Sequence, residues 1–450
     1  MTSTPRSKSL NFTLACAGLA AGTVLAADPA TPPAYTEVAG ARIVKQTQLT
    51  ARTFELTIAT PSFASDTLVE VTLPTRYDAN PGKSWPVTYY LGGTNRDQAT
   101  FRAIYNGESL TASYPSIVVS PKADAGMWSD WLNAGAGGPP MYETFVIGQL
   151  IPLIDANFRT IAERSQRAVM GESMGGYGAM MMAARHPDLF VAAASLSGAV
   201  DTNYLPNIPV NNLLRLITVA LATPIYGTRT EEEVRWRGHN PVDLAENLRG
   251  VALQVRTGNG SLSASNGEGL TDLGGCVLES AAILPESVSF HDRLGALAIP
   301  HAWQQYAWGC HSVALNGQQI GDTLPGLVAA FGTPAPSSFD YRSIEPAFSI
   351  YGWSIAADPA RAVEFLALSG VSSQGLSLAG SGATRVTTAP LFIPSRPVRV
   401  VIDGVATSVM ASPSGRVTFT AHLGQANTGQ QYRPGSTTDV TSATVTLAQD

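Results

Sequence analysis

Charge is scarce in this chain: Asp, Glu, Lys and Arg make up 14% of its 450 residues, where an ordinary globular protein carries about 25%. Disordered chains are charge-rich and poor in apolar residues, and a hydrophobic fraction of 44% excludes that class. Lys plus Arg number 28 against 34 Asp plus Glu. No basic surplus exists to displace counterions from a phosphate backbone, which excludes nucleic acid as a partner. Cysteine is nearly absent, with three residues, and there are six histidines. No spacing among them suggests a metal site, and no Gly-rich loop carries the lysine of a phosphate-binding loop. Neither a metal nor an organic cofactor is expected. Beyond the N-terminal segment, no apolar run approaches the ~20 residues of a membrane span.

The N-terminus itself has a recognisable pattern. Arg6 and Lys8 precede an apolar run, Leu10–Leu25, that ends in Ala26-Ala27. A basic start, a short apolar stretch and small closing residues describe a secretory signal peptide cut after Ala26 or Ala27. Residues 1–27 are therefore expected to direct export, leaving a secreted or wall-associated protein whose net charge moves from −6 to −8. Cys16 leaves with that segment. Cys276 and Cys310 remain as an even pair in an oxidising compartment, where one disulfide is the default.

From Arg42 to about Thr333, short β-branched runs alternate with longer helical stretches, which predicts βαβ units around a doubly wound, mainly parallel sheet. Predicted strands are Leu68–Leu73, Val87–Leu91, Ile117–Ser120, Arg167–Met170, Ala192–Leu196, Ala252–Thr257 and Ala302–Ala307. Predicted helices are Tyr142–Asn157, Gly175–Arg185, Cys276–Leu294 and Val313–Phe331. Residues 201–250 break the rhythm as an insertion. Within it, Asn211–Ala222 reads as an apolar helix, either buried or a lid over an acyl chain. A Pro/Ser-rich stretch then provides a linker at 334–339 between a first domain, 28–333, and a second, 340–450. The second contains no lysine. Its alternating runs Val398–Ile402, Val417–Ala421 and Ala443–Leu447, punctuated by Gly, Pro and Asn, predict a small all-β sandwich.

The strongest chemical signal is Gly171-Glu172-Ser173-Met174-Gly175-Gly176, between a predicted strand and a predicted helix. A nucleophile elbow needs small residues two before and two after its serine because the turn is too tight for a Cβ there. The plainer reading is a Gly-rich turn in an ordinary strand-to-helix connection. A serine hydroxyl needs a base to take its proton, and in this fold the order is Ser, acid, His. His311, in the loop after the strand Ala302–Ala307, occupies the place of the base; His301 is the alternative. The loop after Ala252–Thr257 offers Glu268, Asp272 and Glu279 for the acid, and topology leaves that choice open. Met180-Met181-Met182 reads as core packing, and Glu231–Glu233 as a solvated face.

Tyr89-Tyr90-Leu91-Gly92-Gly93, Trp128-Ser129-Asp130-Trp131, Tyr142-Glu143-Thr144-Phe145, the elbow, Gly258-Asn259-Gly260 and Cys310-His311-Ser312 follow one another in a telling order. From Ala41 to Gly332 the chain resembles the mycobacterial mycolyltransferases, the fibronectin-binding antigen proteins, and related secreted actinobacterial esterases. The resemblance implies an α/β-hydrolase fold and a Ser173–Glu279–His311 triad, with Glu279 taken from Val277-Leu278-Glu279. It implies an oxyanion hole from the backbone N–H groups of Met174 and of Thr94 or Asn95, and substrate contacts by Arg96, Trp128 and Asp130. Two departures stand out. The family's Asp-Gly-Leu-Arg run is replaced by Gly92-Gly93-Thr94-Asn95-Arg96, with the arginine displaced by one residue, and Val313 stands where tryptophan is usual. Acyl-ester chemistry survives these changes, whereas trehalose as acceptor loses support.

Cys276 lies three residues before Glu279 and Cys310 one before His311, so within a triad their loops must meet. A Cys276–Cys310 disulfide is expected to clamp acid loop to base loop, a closure worth ~3–4 kcal/mol in a chain-entropy treatment. The functional expectation is a secreted serine esterase or acyltransferase working through an acyl-enzyme at Ser173. One alternative is a strict carboxylesterase on lipid or polymer esters with water as acceptor; another, of a different class, is a non-catalytic wall- or matrix-binding protein. The sandwich is a candidate for cell-wall contact.

Overall fold

Short segments buried on both faces form the centre of a sheet that has nine strands among the described residues. The computed structural model describes residues 35–132, 140–204, 225–436 and 438–449. The expected signal peptide and the expected helix Asn211–Ala222 lie outside the described residues. The strands are β1 (Arg42–Gln48), β2 (Thr53–Ala59), β3 (Thr67–Thr72), β4 (Val87–Leu91), β5 (Ile117–Pro121), β6 (Arg167–Glu172), β7 (Ala192–Leu196), β8 (Ala252–Thr257) and β9 (His301–Gln305). They are ordered β1-β2-β3-β5-β4-β6-β7-β8-β9. From β5 through β9 all neighbours are parallel, while β1, β2 and β3 add an antiparallel edge. Strands β4, β5, β6 and β7 are buried at every residue. That is the pattern of parallel strands covered on both faces.

The elbow helix Met174–Arg185 buries every residue but its last, including Met180, Met181 and Met182. On the same flank packs a helix that runs as a π-helix over Thr144–Leu150 and as an α-helix over Ile151–Asn157. The acid helix starts at Leu273–Leu278, passes through a π-helical turn at Glu279–Ile283 and continues over Leu284–Ala296. The base helix, Val313–Ala330, closes this part of the chain. These parallel strands with helices on both faces form an α/β-hydrolase fold.

Among the described residues ten further strands follow: β10 (Phe339–Ser343), β11 (Ala347–Ile350), β12 (Trp353–Ala356), β13 (Leu366–Ser372), β14 (Gly375–Gly380), β15 (Gly382–Thr387), β16 (Pro397–Ile402), β17 (Val405–Met410), β18 (Thr418–Leu423) and β19 (Thr441–Ala448). They make two antiparallel sheets, β10-β13-β14-β19-β16-β17 and β11-β12-β15-β18, around their own apolar cluster, which includes Trp353, Leu366, Val386 and Val445. This is the expected all-β sandwich. It rests on the far end of the elbow helix, where the Tyr341 hydroxyl donates to the Arg185 carbonyl at 2.6 Å. Ile344 and Phe365 enter the core of the hydrolase region. Among the described residues, no helix is long and apolar enough to cross a membrane.

Candidate active site

Ser173 lies at the carboxyl end of β6, with φ 58° and ψ −123°, outside the ordinary L-residue wells. Such strain survives only where the surroundings dictate it. Its amide is tied to the Leu196 carbonyl at 3.0 Å. A Cβ on Gly175 would come within 1.8 Å of the Leu91 carbonyl oxygen, and one on Gly171 within 2.3 Å of the Gly175 carbonyl oxygen. The elbow glycines are thus required by the approach of β4 to the turn, as the sequence pattern implied.

Glu279 is fully buried, at 0% exposure, where the acid helix turns π-helical. Such π turns recur at functional positions. Its Oε2 lies 2.8 Å from His311 Nδ1. Its Oε1 accepts from Ser197 Oγ (2.7 Å), Thr257 Oγ1 (2.8 Å) and the Gly258 N–H (2.6 Å). Burial pushes the Glu279 carboxyl up, but the hydrogen bond and charge of His311, with the two hydroxyls, outweigh it and hold the carboxyl below its ordinary range. For His311, burial works against the charged ring. The Glu279 hydrogen bond and charge, helped by Glu172 and opposed by Arg96, leave its pKa above the ordinary imidazole value. The two shifts agree: this is a carboxylate poised to stabilise an imidazolium.

The oxyanion-hole reading has a direct backbone correlate. The Gly93 N–H donates to Glu172 Oε1 at 3.0 Å and the Asn95 N–H to the Asp124 carbonyl at 3.0 Å. The N–H of Thr94 between them has no partner among the described residues, nor does that of Met174 at the first position of the elbow helix. Of the two expected donors after β4, Asn95 is therefore committed elsewhere. Glu172, buried next to Ser173, also accepts from Asn316 Nδ2 on the helix Val313–Ala330 at 3.2 Å. It lies 3.8 Å from Arg96 Nε. This carboxylate links elbow, β4 loop and base helix. Sequence reasoning gave it no role, although a charged residue inside a buried elbow was the available signal.

Cys276 and Cys310 form the expected disulfide. The His311 N–H donates to the Gly275 carbonyl at 2.9 Å. Leu270, just before the acid helix, Leu273 and Val277 on it, and Val313 at the start of the base helix stand exposed, Leu270 by 80%.

The structure parts other expected groups from this constellation. Trp128 is wholly buried, with 0% exposure, and its Nε1–H donates to the Gly92 carbonyl at 3.1 Å. That enclosure corrects the expected substrate contact, because the indole supports the β4 loop from beneath. The Asp130 carboxylate accepts from the Thr144 N–H (3.0 Å) and Oγ1 (2.6 Å). It lines a separate cavity of about 510 Å³ with Glu143, Arg185, His186, His239 and Glu345. Asp130 thus holds the start of the helix at Thr144 and lines this cavity. His301 pairs with His291 at 2.7 Å on the edge strand β9. Asp272 Oδ2 accepts from the Gly269 N–H at 2.8 Å. Among the described residues, no group of three or more His, Cys, Asp or Glu is arranged to hold a metal ion.

A strained serine on a tight strand-to-helix turn, with a carboxylate-bound histidine on a neighbouring loop, defines an α/β-hydrolase of the serine type. The Esterase family model matches residues 60–320, and the chain belongs to that family. Over 266 residues it is 31% identical to Esterase Rv1288 of Mycobacterium tuberculosis, a match covering 58% of this chain and 56% of that protein. The chain thus spans little more than half the length of that curated relative. It is 25% identical over 298 residues to the diacylglycerol acyltransferase/mycolyltransferase Ag85A of Mycobacterium leprae, covering 62% of this chain and 83% of the relative. Among solved structures, the Mycobacterium tuberculosis MPT51 (FbpC1) shares the fold with a TM-score of 0.51 at 20% identity, over 64% of this chain and 99% of that one. An S-formylglutathione hydrolase from Agrobacterium tumefaciens does so with a TM-score of 0.52 at 16% identity, over 64% and 99%.

Proposed function

We propose that this protein is a secreted serine ester hydrolase or acyltransferase that forms an acyl-enzyme on Ser173. The supporting observation is the hydrogen-bonded Glu279–His311 pair in a fold that also carries the strained Ser173 and two N–H groups without partners among the described residues. His311 Nε2 takes the Ser173 proton as Oγ bonds to the ester carbonyl carbon, and the N–H groups of Met174 and Thr94 receive the developing oxyanion. The intermediate collapses, the C–O bond to the leaving alcohol breaks, and the imidazolium returns its proton to that alcohol. An acceptor hydroxyl then repeats the sequence and frees the serine. Glu279 orients the ring and stabilises its charged form.

Exposed Leu270, Leu273, Val277 and Val313 around the acid and base loops suit an ester with an apolar acyl group. Similarity to the mycolyltransferase supports transfer to a sugar hydroxyl such as that of trehalose. The departure at Gly92–Arg96 and the ion pairing of Arg96 with Glu172 favour water. Product analysis with a long-chain ester, with and without trehalose, separates the two: free acid alone means hydrolysis, a trehalose ester means transfer. Ser173→Ala should abolish the burst of alcohol from an activated ester while leaving the circular dichroism spectrum unchanged; retained turnover would place the chemistry elsewhere. Export rests on the N-terminal pattern, and sequencing the mature protein should find its first residue at Ala27 or Asp28. The division into residues 28–333 for catalysis and 340–450 for wall or polymer contact belongs to the same proposal. Wall binding by the full chain that survives deletion of 337–450 would refute the second assignment.

A further inference from the structure

Glu268 lies in the loop between β8 and the acid helix, only 4% exposed. It was one of the carboxylates eligible as triad acid, yet its partners are two backbone N–H groups and a serine hydroxyl and not an imidazole. Oε1 accepts from the Cys310 N–H at 2.8 Å and from Ser312 Oγ at 2.6 Å. Oε2 accepts from the Ser263 N–H at 2.9 Å. Its two partners on the base loop are the residues immediately before and after His311. Ser312 Oγ in turn accepts from the Leu315 N–H at 3.2 Å, capping the base helix. One buried carboxylate therefore holds both neighbours of the base and, through Ser312, the helix that follows.

A second restraint reaches the same three residues from another segment. Cys310 is bonded to Cys276, and the His311 N–H donates to the Gly275 carbonyl. The 263–268 loop grips the base loop by charge-assisted hydrogen bonds, which are the stronger and more directional kind. The 275–276 turn grips it covalently and through one amide. The two grips leave from different parts of the chain, so loss of one leaves the other in place.

We propose that Glu268 is a positioning residue for His311, acting in parallel with the Cys276–Cys310 disulfide so that either restraint alone keeps Nδ1 on Glu279 while loss of both releases the ring. This rests on the Ser173–Glu279–His311 reading above. Glutamine cannot substitute for Glu268. Its amide carries two donors, which must face either the Cys310 and Ser312 donors or the Ser263 N–H, leaving one set unsatisfied.

The test uses the full chain with p-nitrophenyl acetate, comparing wild type, Glu268→Gln, the paired Cys276→Ser/Cys310→Ser variant and the variant carrying all three changes. Each single restraint removed should lower kcat by less than about tenfold with KM unchanged, and joint removal should lower it by about a hundredfold or more, beyond the product of the two. The downfield proton resonance of the His311 Nδ1–H bond should persist in the first two variants and vanish in the third. Multiplicative effects, or a resonance that survives joint removal, would overturn the proposal. If the triple variant does not fold, Ser312→Ala in the disulfide-free protein removes one donor while keeping the carboxylate and should reproduce the fall in kcat; an unchanged kcat there is equally fatal. Ser173→Ala keeps the two questions apart, because activity retained in that protein refutes the triad reading, whereas an inactive Ser173→Ala beside additive clamp variants refutes only this inference.

Discussion

Glu172 carries its charge one peptide bond from the nucleophile, and its field reaches the base. The charged groups bearing on His311 are Glu279 in contact, Glu172 from the end of β6 and Arg96 from the β4 loop, with Glu268 bound to the residues on either side. Glu172 raises the His311 pKa and Arg96 lowers it. The base must be neutral to accept a proton, so kcat/KM falls below its pKa. Removing the raising charge with Glu172→Gln should move the acid limb of that profile to lower pH. Arg96→Gln should move it to higher pH. Limbs that stay put, or move together, would deny Glu172 an electrostatic influence on the base. Ser173 and His311 were legible from the elbow pattern and from strand order. Glu268, Asp272 and Glu279 were not separable that way, because all three follow β8 within a short stretch of chain and only the fold decides which meets the ring.

Strands legible in the sequence share one trait. Val87–Leu91, Ala192–Leu196 and Ala252–Thr257 have the predicted bounds because each is a short run closed by a glycine-bearing turn. The edge strand β1 and its neighbour β2 were missed individually. In Arg42–Gln48 nearly every side chain faces solvent, so no buried period marks it. The stretch Tyr142–Asn157 read as one α-helix, but Thr144–Leu150 is π-helical, and nothing in side-chain periodicity distinguishes one added residue per turn. Element contacts also set an intolerance. Gly175→Ala would drive a methyl into the Leu91 carbonyl, backbone against backbone, with no flexible atom to yield. The cost should exceed about 4 kcal/mol, seen as a collapsed denaturation midpoint or loss of soluble protein.

At the scale of the whole molecule, the sandwich is fastened to the elbow helix through a buried ionic knot. Arg185 bridges Glu143 (2.7 Å) and Glu345 (2.8 Å), and His186 Nε2 lies 2.8 Å from Glu143. Arg185→Met would leave the Glu143 carboxylate buried without its main partner and should cost about 3–5 kcal/mol in denaturant unfolding. Burial, together with the Arg185 charge, depresses His239 to about 4. Its folded pKa then lies below the unfolded value of about 6.5, so the unfolded chain binds the extra proton in between. Stability should fall as pH drops from about 6.5 toward 4, and His239→Gln should flatten that slope in pH-dependent melting. A slope unchanged by the substitution would locate the acid sensitivity elsewhere.

The parallel order β6-β7-β8-β9 has a kinetic consequence. Ser173, the groups that hold Glu279, and His311 issue from four successive strand ends separated by long stretches of chain, so no local fragment can assemble the proposed site. Pairings across such sequence distances close late and slowly. On dilution from denaturant with the disulfide intact, helical signal should return well before ester turnover, with activity the last property recovered.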